Sequence, residues 1–107
     1  MATIVRGKND EYVKRIKAAL DDYEKEHPGA KAELYRQNTA SIRIRIADQR
    51  FAKMSKGKRH DLAWDFLAAR LDEDTMQEIS VLLLISPTER DSSFMSFEFD
   101  HPVKSGF

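Results

Sequence analysis

Residues 79 to 85 read Ile-Ser-Val-Leu-Leu-Leu-Ile, an uncharged run in a chain in which 34% of the residues are charged. The run is the strongest strand signal in the sequence. Because both faces of such a strand would be apolar, we expect it to lie in the centre of a sheet. The rest of the chain must then provide neighbouring strands and helices that cover them.

A second strand is predicted from the alternating sequence of residues 41 to 46. Ile42, Ile44 and Ile46 would lie on one face, and Ser41, Arg43 and Arg45 on the other. One face of the sheet is therefore expected in the core and the other at least partly in water. A preceding strand is predicted over residues 32 to 36, joined to this one by a hairpin turn at residues 37 to 39.

Two helices are predicted from apolar residues that recur at three- and four-residue steps. The first follows a capping residue at Asn9 or Asp10 and ends at the His-Pro-Gly sequence of residues 27 to 29. The second follows Ser55 and runs to about Leu71, with a broad apolar stripe typical of a helix on a sheet. Asp74 with Gln77 could cap one further short turn.

The C-terminal region is predicted to add a last strand. After a loop over residues 87 to 93, Met95, Phe97 and Phe99 alternate with polar residues, which favours a strand paired with residues 79 to 85. We expect one domain over residues 1 to 107, with a folded core from 8 to 100 and a flexible tail from 101 to 107. The predicted fold class is α+β, with one layer of helices on one mostly antiparallel sheet.

Several classes of protein are disfavoured by what the sequence lacks. The chain has no cysteine, which excludes disulfides, thiolate catalysis and cysteine-bound metal within it. It has no apolar run long enough to cross a membrane and no apolar N-terminal signal segment. Common catalytic motifs and metal-binding spacings are also missing. We expect a cytoplasmic, non-enzymatic protein without cofactor or metal.

Charge is unevenly distributed although the chain as a whole is neutral. Residues 30 to 60 hold nine Lys or Arg against two acidic residues, whereas residues 61 to 107 hold three basic against ten acidic residues. Such asymmetry suggests an anionic partner for the basic part. The alternative is that the two segments neutralise each other across the fold.

A family resemblance rests on residues 51 to 60. Phe51, Ser55, Arg59 and His60 form F-x-x-x-S-x-x-x-R-H between an alternating strand and an apolar helix, and a Pro-Thr-Glu sequence follows the apolar strand at residues 87 to 89. This order resembles the BolA family, whose fold is like that of class II KH domains. The resemblance covers about residues 40 to 90 and implies a helix–strand–strand–helix–strand fold, to which the C-terminal strand is an addition.

The sequence departs from the BolA pattern at four places. Lys53 stands where the family usually has Gly, and Asp61 where it has a third basic residue. The family's metal-associated histidine would fall near Gln77 or Glu78, and the ligand-bearing loop is shortened to residues 37 to 39. The resemblance therefore implies the fold more than an iron–sulfur partnership with glutaredoxins.

The candidate binding site is a basic band at the start of the second helix. Free N–H groups at a helix N-terminus favour anions, and a glycine lets a backbone approach closely. We predict binding of RNA, DNA or another anion by this band, whose members are Arg43, Arg45, Lys53, Lys56, Gly57, Lys58 and Arg59.

Two alternatives to this site remain open. Arg43 and Arg45 could instead pair with Glu33 and with Glu98 or Asp100. The chain could also be a protein-interaction domain, because the phenylalanine-rich end and the doubly apolar strand offer surface for a homodimer through the C-terminal part of the sheet. Raising the salt concentration would distinguish nucleic-acid binding from apolar association, because phosphate contacts weaken steeply with ionic strength and apolar contacts do not.

Overall fold

The computed structural model describes residues 1–90 and 93–102 as a four-stranded sheet with four α-helices. Residues 91 and 92, in the predicted loop, and 103 to 107, in the predicted tail, lie outside the described residues. The elements are, in chain order, β1 (Thr3–Arg6), α1 (Glu11–Glu26), β2 (Lys31–Asn38), β3 (Ser41–Ala47), a 3₁₀ helix (Gln49–Lys53), α2 (Lys56–Ala68), α3 (Glu73–Gln77), β4 (Ile79–Ile85) and α4 (Phe94–Asp100).

The predicted α+β class is confirmed, but the sheet is mixed and not mostly antiparallel. The strands lie in the order β1-β2-β3-β4. The β2–β3 hairpin is antiparallel, whereas β1 runs parallel to β2 and β4 runs parallel to β3. The parallel pairs follow from the chain path, because a helical crossover leads from β1 to β2 and from β3 to β4.

One face of the sheet forms the main core with α1, α2 and α3. Ile42, Ile44 and Ile46 are fully buried there, as the alternation of β3 predicts. Asp10 caps α1 by accepting from the Val13 N–H at 3.1 Å. The remaining buried residues of this core include Val13, Ile16, Leu20, Leu34, Ala63 and Leu67.

Several predicted boundaries differ from the structure by a few residues. Ser55 caps α2 as expected, but the helix ends at Ala68 and not near residue 71. The short helix α3 exists, but Asp72 caps it in place of Asp74. The four-residue strand β1 was missed because it lies before the first clear periodic segment.

The predicted central position of β4 is wrong, because β4 lies at the edge of the sheet beside β3. Its side chains are apolar on both faces because helices lie on both sides of the sheet there, not because strands flank it on both edges. Val81, Leu82 and Leu83 are half-buried. An apolar strand therefore sits where many proteins place charged or proline residues.

The predicted last strand is also wrong, because residues 94 to 100 form helix α4. Ser93 caps α4 by accepting from the Ser96 N–H at 3.2 Å. Ser96 and Phe99, three residues apart, form its buried side. A seven-residue segment can satisfy a two-residue and a three-residue period together, so alternation alone did not distinguish them. Helix α4 packs on the face of the sheet opposite to α1 and α2.

Candidate functional site

The start of α2 presents the exposed part of the predicted basic band. Ser55 accepts from the Lys58 N–H at 3.2 Å and so fixes the first turn. Lys53, Lys56 and Lys58 are exposed, and no ion pair of theirs occurs among residues 1–90 and 93–102. Gly57 is exposed between them, with nothing near the position of an added Cβ. These four residues form an accessible surface, which we call the lysine turn.

Arg59 belongs to the same helix, but its side chain is buried and is used within the fold. Its Nη1 donates to the Leu84 carbonyl at 3.0 Å and lies 2.9 Å from Glu89 Oε1, and its Nε donates to the Met54 carbonyl at 3.2 Å. Hydrogen bonds from the Ser86 N–H and hydroxyl, together with Arg59, lower the pKa of Glu89 to about 2. Arg59 thus ties α2 to the end of β4 and to the following loop.

Arg43 and Arg45 lie on the other side of the sheet from the lysine turn. Arg45 is 1% exposed and ion-paired with Glu33 at 2.8 Å and Asp100 at 2.9 Å. Arg43 Nη1 lies 2.6 Å from Glu98 Oε2. The alternative in which these arginines pair internally is therefore confirmed, and the sheet separates them from Lys53, Lys56 and Lys58.

The contacts of Arg45 hold α4 against the sheet. Its Nη1 donates to Ser96 Oγ at 2.9 Å, and its guanidinium lies 4.6 Å from the centre of the Phe99 ring. Phe99 also meets Tyr35 of β2 edge to face at 4.8 Å. Arg45 lowers the pKa of Asp100 by hydrogen bonding to its carboxylate. Positive charge on this face therefore supports the docking of α4.

The second accessible feature is the backbone edge of β4 that points away from β3. The Ile85 carbonyl accepts from the Asp48 N–H at 2.9 Å and so points towards β3. The Leu84 carbonyl accepts from the Arg59 side chain of α2 and so points away from β3. Successive residues of a strand direct their N–H and C=O groups to alternate edges. Leu82 therefore directs both groups outward, and no partner strand for them occurs among the described residues. We call this side of residues 80 to 84 the outer edge of β4.

Helices flank the outer edge on both sides and create a groove. On one side lie Lys56 and His60 of α2, and on the other Phe94 and Met95 of α4. The groove encloses about 600 Å³ beside residues 82 to 85. Phe94 is 79% exposed and Met95 48% exposed. Large apolar side chains in such a position are typical of surfaces that bind other proteins.

The opposite edge of the sheet is less suited to pairing. β1 has four residues, and its pairing with β2 is irregular between Ile4 and Arg6. The Arg6 guanidinium donates to the carbonyls of Phe99 and Asp100, both at 3.1 Å. A short, irregular strand with a charged residue is a common protection against edge pairing. The two edges of the sheet are therefore not equivalent.

A buried polar cluster beneath the end of α1 was missed by the sequence reasoning. Tyr23 donates its hydroxyl to Asp48 Oδ2 at 2.8 Å, and Arg50 Nη2 lies 3.1 Å from the same oxygen. Burial raises the pKa of Tyr23, with Asp48 adding to the effect. Burial acts to raise the pKa of Asp48 as well, but hydrogen bonds from the Arg50 N–H, Tyr23 and the Arg50 side chain leave it lowered. The groups satisfy one another, so the cluster is a structural element.

Within residues 1–90 and 93–102, no three or more His, Asp or Glu side chains come together as metal ligands. None of the described helices has the length and apolar character needed to span a bilayer. The lysine turn and the groove at β4 are accessible surface features that could bind a partner.

Comparisons with known proteins leave the chain without an assigned family. No family model, no curated protein and no solved structure matches it. The BolA-like relationship therefore stays a prediction from the resemblance over about residues 40 to 90, and function has to be argued from the groove and the lysine turn.

Proposed function

We propose that this protein is a non-enzymatic protein-interaction domain that binds an extended segment of a partner by adding it as a strand to the outer edge of β4. The observation that carries the proposal is the outward direction of the Leu82 backbone groups in a strand without charge or proline. In strand addition, main-chain hydrogen bonds give affinity, and pockets for alternate side chains give specificity.

The groove fits this mode of binding on both of its sides. A strand placed beside β4 would direct alternate side chains towards His60 and towards Phe94 and Met95. His60 is itself held by stacking on Trp64, with ring centres 5.6 Å apart. The flanking residues thus offer an apolar wall on one side and a mixed aromatic and cationic wall on the other.

The test uses a random twelve-residue peptide library displayed on phage, selected against wild-type protein immobilised at low density. We expect the selected peptides to alternate apolar residues and to slow hydrogen exchange of the Leu82 and Leu84 amides. Phe94→Glu should weaken their binding, because it places a charge on the apolar wall. Selected peptides that leave exchange at both amides unchanged would contradict the proposal.

A second candidate function is the binding of single-stranded nucleic acid by the lysine turn, extending the first prediction from the sequence. The supporting observation is that Lys53, Lys56 and Lys58 are exposed at a capped helix start without ion-pair partners among the described residues. Arg43, Arg45 and Arg59 already have acidic partners, so the accessible cationic surface is smaller than the sequence suggested.

The nucleic-acid candidate is tested with labelled twelve-nucleotide oligo-dT and oligo-U. Replacing the three lysines by Ala should abolish binding, and three phosphate contacts predict a logarithmic salt slope of about −2. Arg59 is left in place, because replacing it would break its bonds to β4. Binding that persists in the triple variant would reject this assignment of the site.

A further inference from the structure

We propose that the segment bound at the outer edge of β4 is β4 of a second copy of this chain, antiparallel to the first and with Leu82 opposite Leu82. This inference rests on the proposed strand addition and names its partner. The inference goes beyond the proposed function by specifying the register and the symmetry of the complex. A two-fold axis through Leu82 uses the same surface of both copies, as a closed dimer requires.

The sequence of β4 is complementary to itself in this arrangement. Pairing about Leu82 places residue 81 opposite 83, 80 opposite 84, and 79 opposite 85. Each pair is apolar except Ser80 with Leu84, and none brings like charges together. Residues 81 to 85 keep a regular register with β3, and a bulge at Ser80 makes the pair of residues 80 and 84 less regular. A shift of register in either direction would leave residues at the ends of the strand unpaired.

Backbone hydrogen bonds are available for this register. Leu82 directs its N–H and C=O outward, so the two copies of Leu82 would exchange both bonds. The Leu84 carbonyl already accepts from Arg59 Nη1 at 3.0 Å. That carbonyl has a second lone pair and so keeps the capacity for one further hydrogen bond.

The area available predicts a weak dimer. A Phe side chain offers about 200 Å², so Phe94 at 79% exposure contributes about 160 Å². Met95, which is 48% exposed, and the half-buried side chains of β4 add to this area, but each copy offers less than the roughly 800 Å² per partner of a standard interface. Interfaces smaller than about 1,200 Å² in total are typical of weak complexes, so we expect a dissociation constant in the micromolar range or above. The zero net charge of the chain avoids repulsion between copies.

The first experiment is sedimentation velocity of the full chain from about 5 to 500 µM, a range that brackets the affinity expected for a small interface. We expect the mass to rise with concentration from 12.4 kDa towards twice that value, and to do so equally in high salt. Phe94→Glu should raise the dissociation constant at least about tenfold, because Phe94 lines the groove. Phe97→Glu is the matched control: Phe97 is 63% exposed on the same helix but does not line the groove.

The second experiment tests the register by disulfide formation, which is clean because the chain has no cysteine. Val81→Cys and Leu83→Cys proteins, mixed and oxidised, should form a disulfide with each other, since directly opposite residues lie about 4.5 to 5.5 Å apart. Neither variant should form one with itself, because diagonal partners are beyond about 7 Å. A disulfide between two Val81→Cys chains would overturn the register.

The outcomes separate this inference from the proposed function. If the protein stays monomeric at every concentration, the proposal that the partner is a second copy is overturned. Peptides that protect the Leu82 amide from hydrogen exchange would still support strand addition in that case. The full chain could stay monomeric and dimerise only after residues 103 to 107 are removed. That result would also overturn the inference of a second copy, because it would indicate that the chain's own end lies at the outer edge of β4. Failure of both the dimer and the peptide selection would reject the proposed function itself.

Discussion

Arg45 is the charged residue that we expect to contribute most to stability, and Arg45→Met is the change that tests this. The side chain is 1% exposed and bonds to Glu33, Ser96 and Asp100. Methionine keeps an unbranched side chain beside Phe99 but removes the guanidinium. Glu33, which is 18% exposed, would then keep only a longer contact with Arg90 at 3.8 Å, and Asp100 would lose its closest cation.

Removing one partner of a buried ion pair costs about 3 to 5 kcal/mol, because the remaining charge is left desolvated. The Asp100 side chain is 41% exposed and can be hydrated, so we place the loss near the lower end, at about 3 kcal/mol. For a domain of this size, such a loss lowers the melting temperature by about 10 °C or more. Protection of the α4 amides from hydrogen exchange should fall further, since Arg45 contacts that helix directly.

Urea unfolding followed by circular dichroism measures the change. Arg15→Ala is the control, because Arg15 is 48% exposed and its pairs with the exposed Glu11 and Asp72 span 3.6 and 3.7 Å. Loss of such exposed pairs should cost at most about 0.5 to 1 kcal/mol. Adding Asp100→Asn to Arg45→Met should restore part of the stability by removing an unpaired charge. If Arg45→Met and Arg15→Ala were equally stable, the argument from burial would be refuted.

Three further predictions concern single side chains. Glu89→Gln should lower stability at pH 7, and its difference from wild type should shrink and disappear as the pH falls from about 4.5 to 2. The folded-state pKa of Glu89 is depressed from 4.5 to about 2, so its stabilising contribution is lost when it becomes protonated. A difference in stability that is unchanged at pH 2 would contradict this. Gly7→Ala should destabilise the protein by about 1 to 3 kcal/mol or more in urea unfolding. The reason is that Gly7 has φ +82° and an added Cβ would lie 2.7 Å from a backbone oxygen. The control Gly57→Ala, in α2, should stabilise the protein by about 0.5 kcal/mol, and equal effects of the two changes would refute the strain at Gly7. Tyr23→Phe should cost about 1 to 2 kcal/mol in the same assay by removing a hydrogen bond to the buried Asp48 carboxylate, and a neutral result would show that water replaces the hydroxyl.

The main helices and the hairpin could be predicted because their signals are local. The periodic apolar residues of α1, the caps at Asp10 and Ser55, and the alternation of β3 are each fixed by neighbours in the chain. Such patterns report which side chains will be buried, and the structure buries them. Helix α4 was misjudged for the converse reason, since seven residues fit two periods equally well.

The candidate site was predicted only in part, because clustering in sequence does not determine the face on which a side chain lies. Lys53, Lys56 and Lys58 remain exposed together at the lysine turn. Arg43 and Arg45 alternate with the isoleucines of β3 and therefore point to the opposite face, where α4 supplies their carboxylates. The alternation and the acidic partners Glu98 and Asp100 were visible in the sequence, but the helix that carries these acids over the face was not.

The sequence by itself determined which segments are apolar, where most helices begin, and that Ile79–Ile85 must be a strand, because these depend on local backbone and burial preferences. Only the tertiary structure decided that this strand lies at an edge, that α4 covers the second face, and that four arginines of the basic segment (Arg36, Arg43, Arg45 and Arg59) pair with acids from the last third of the chain. The physical reason is that strand order and charge pairing depend on contacts between distant segments. An apolar strand satisfies the same local rules at the centre of a sheet and at an edge covered on both faces by helices.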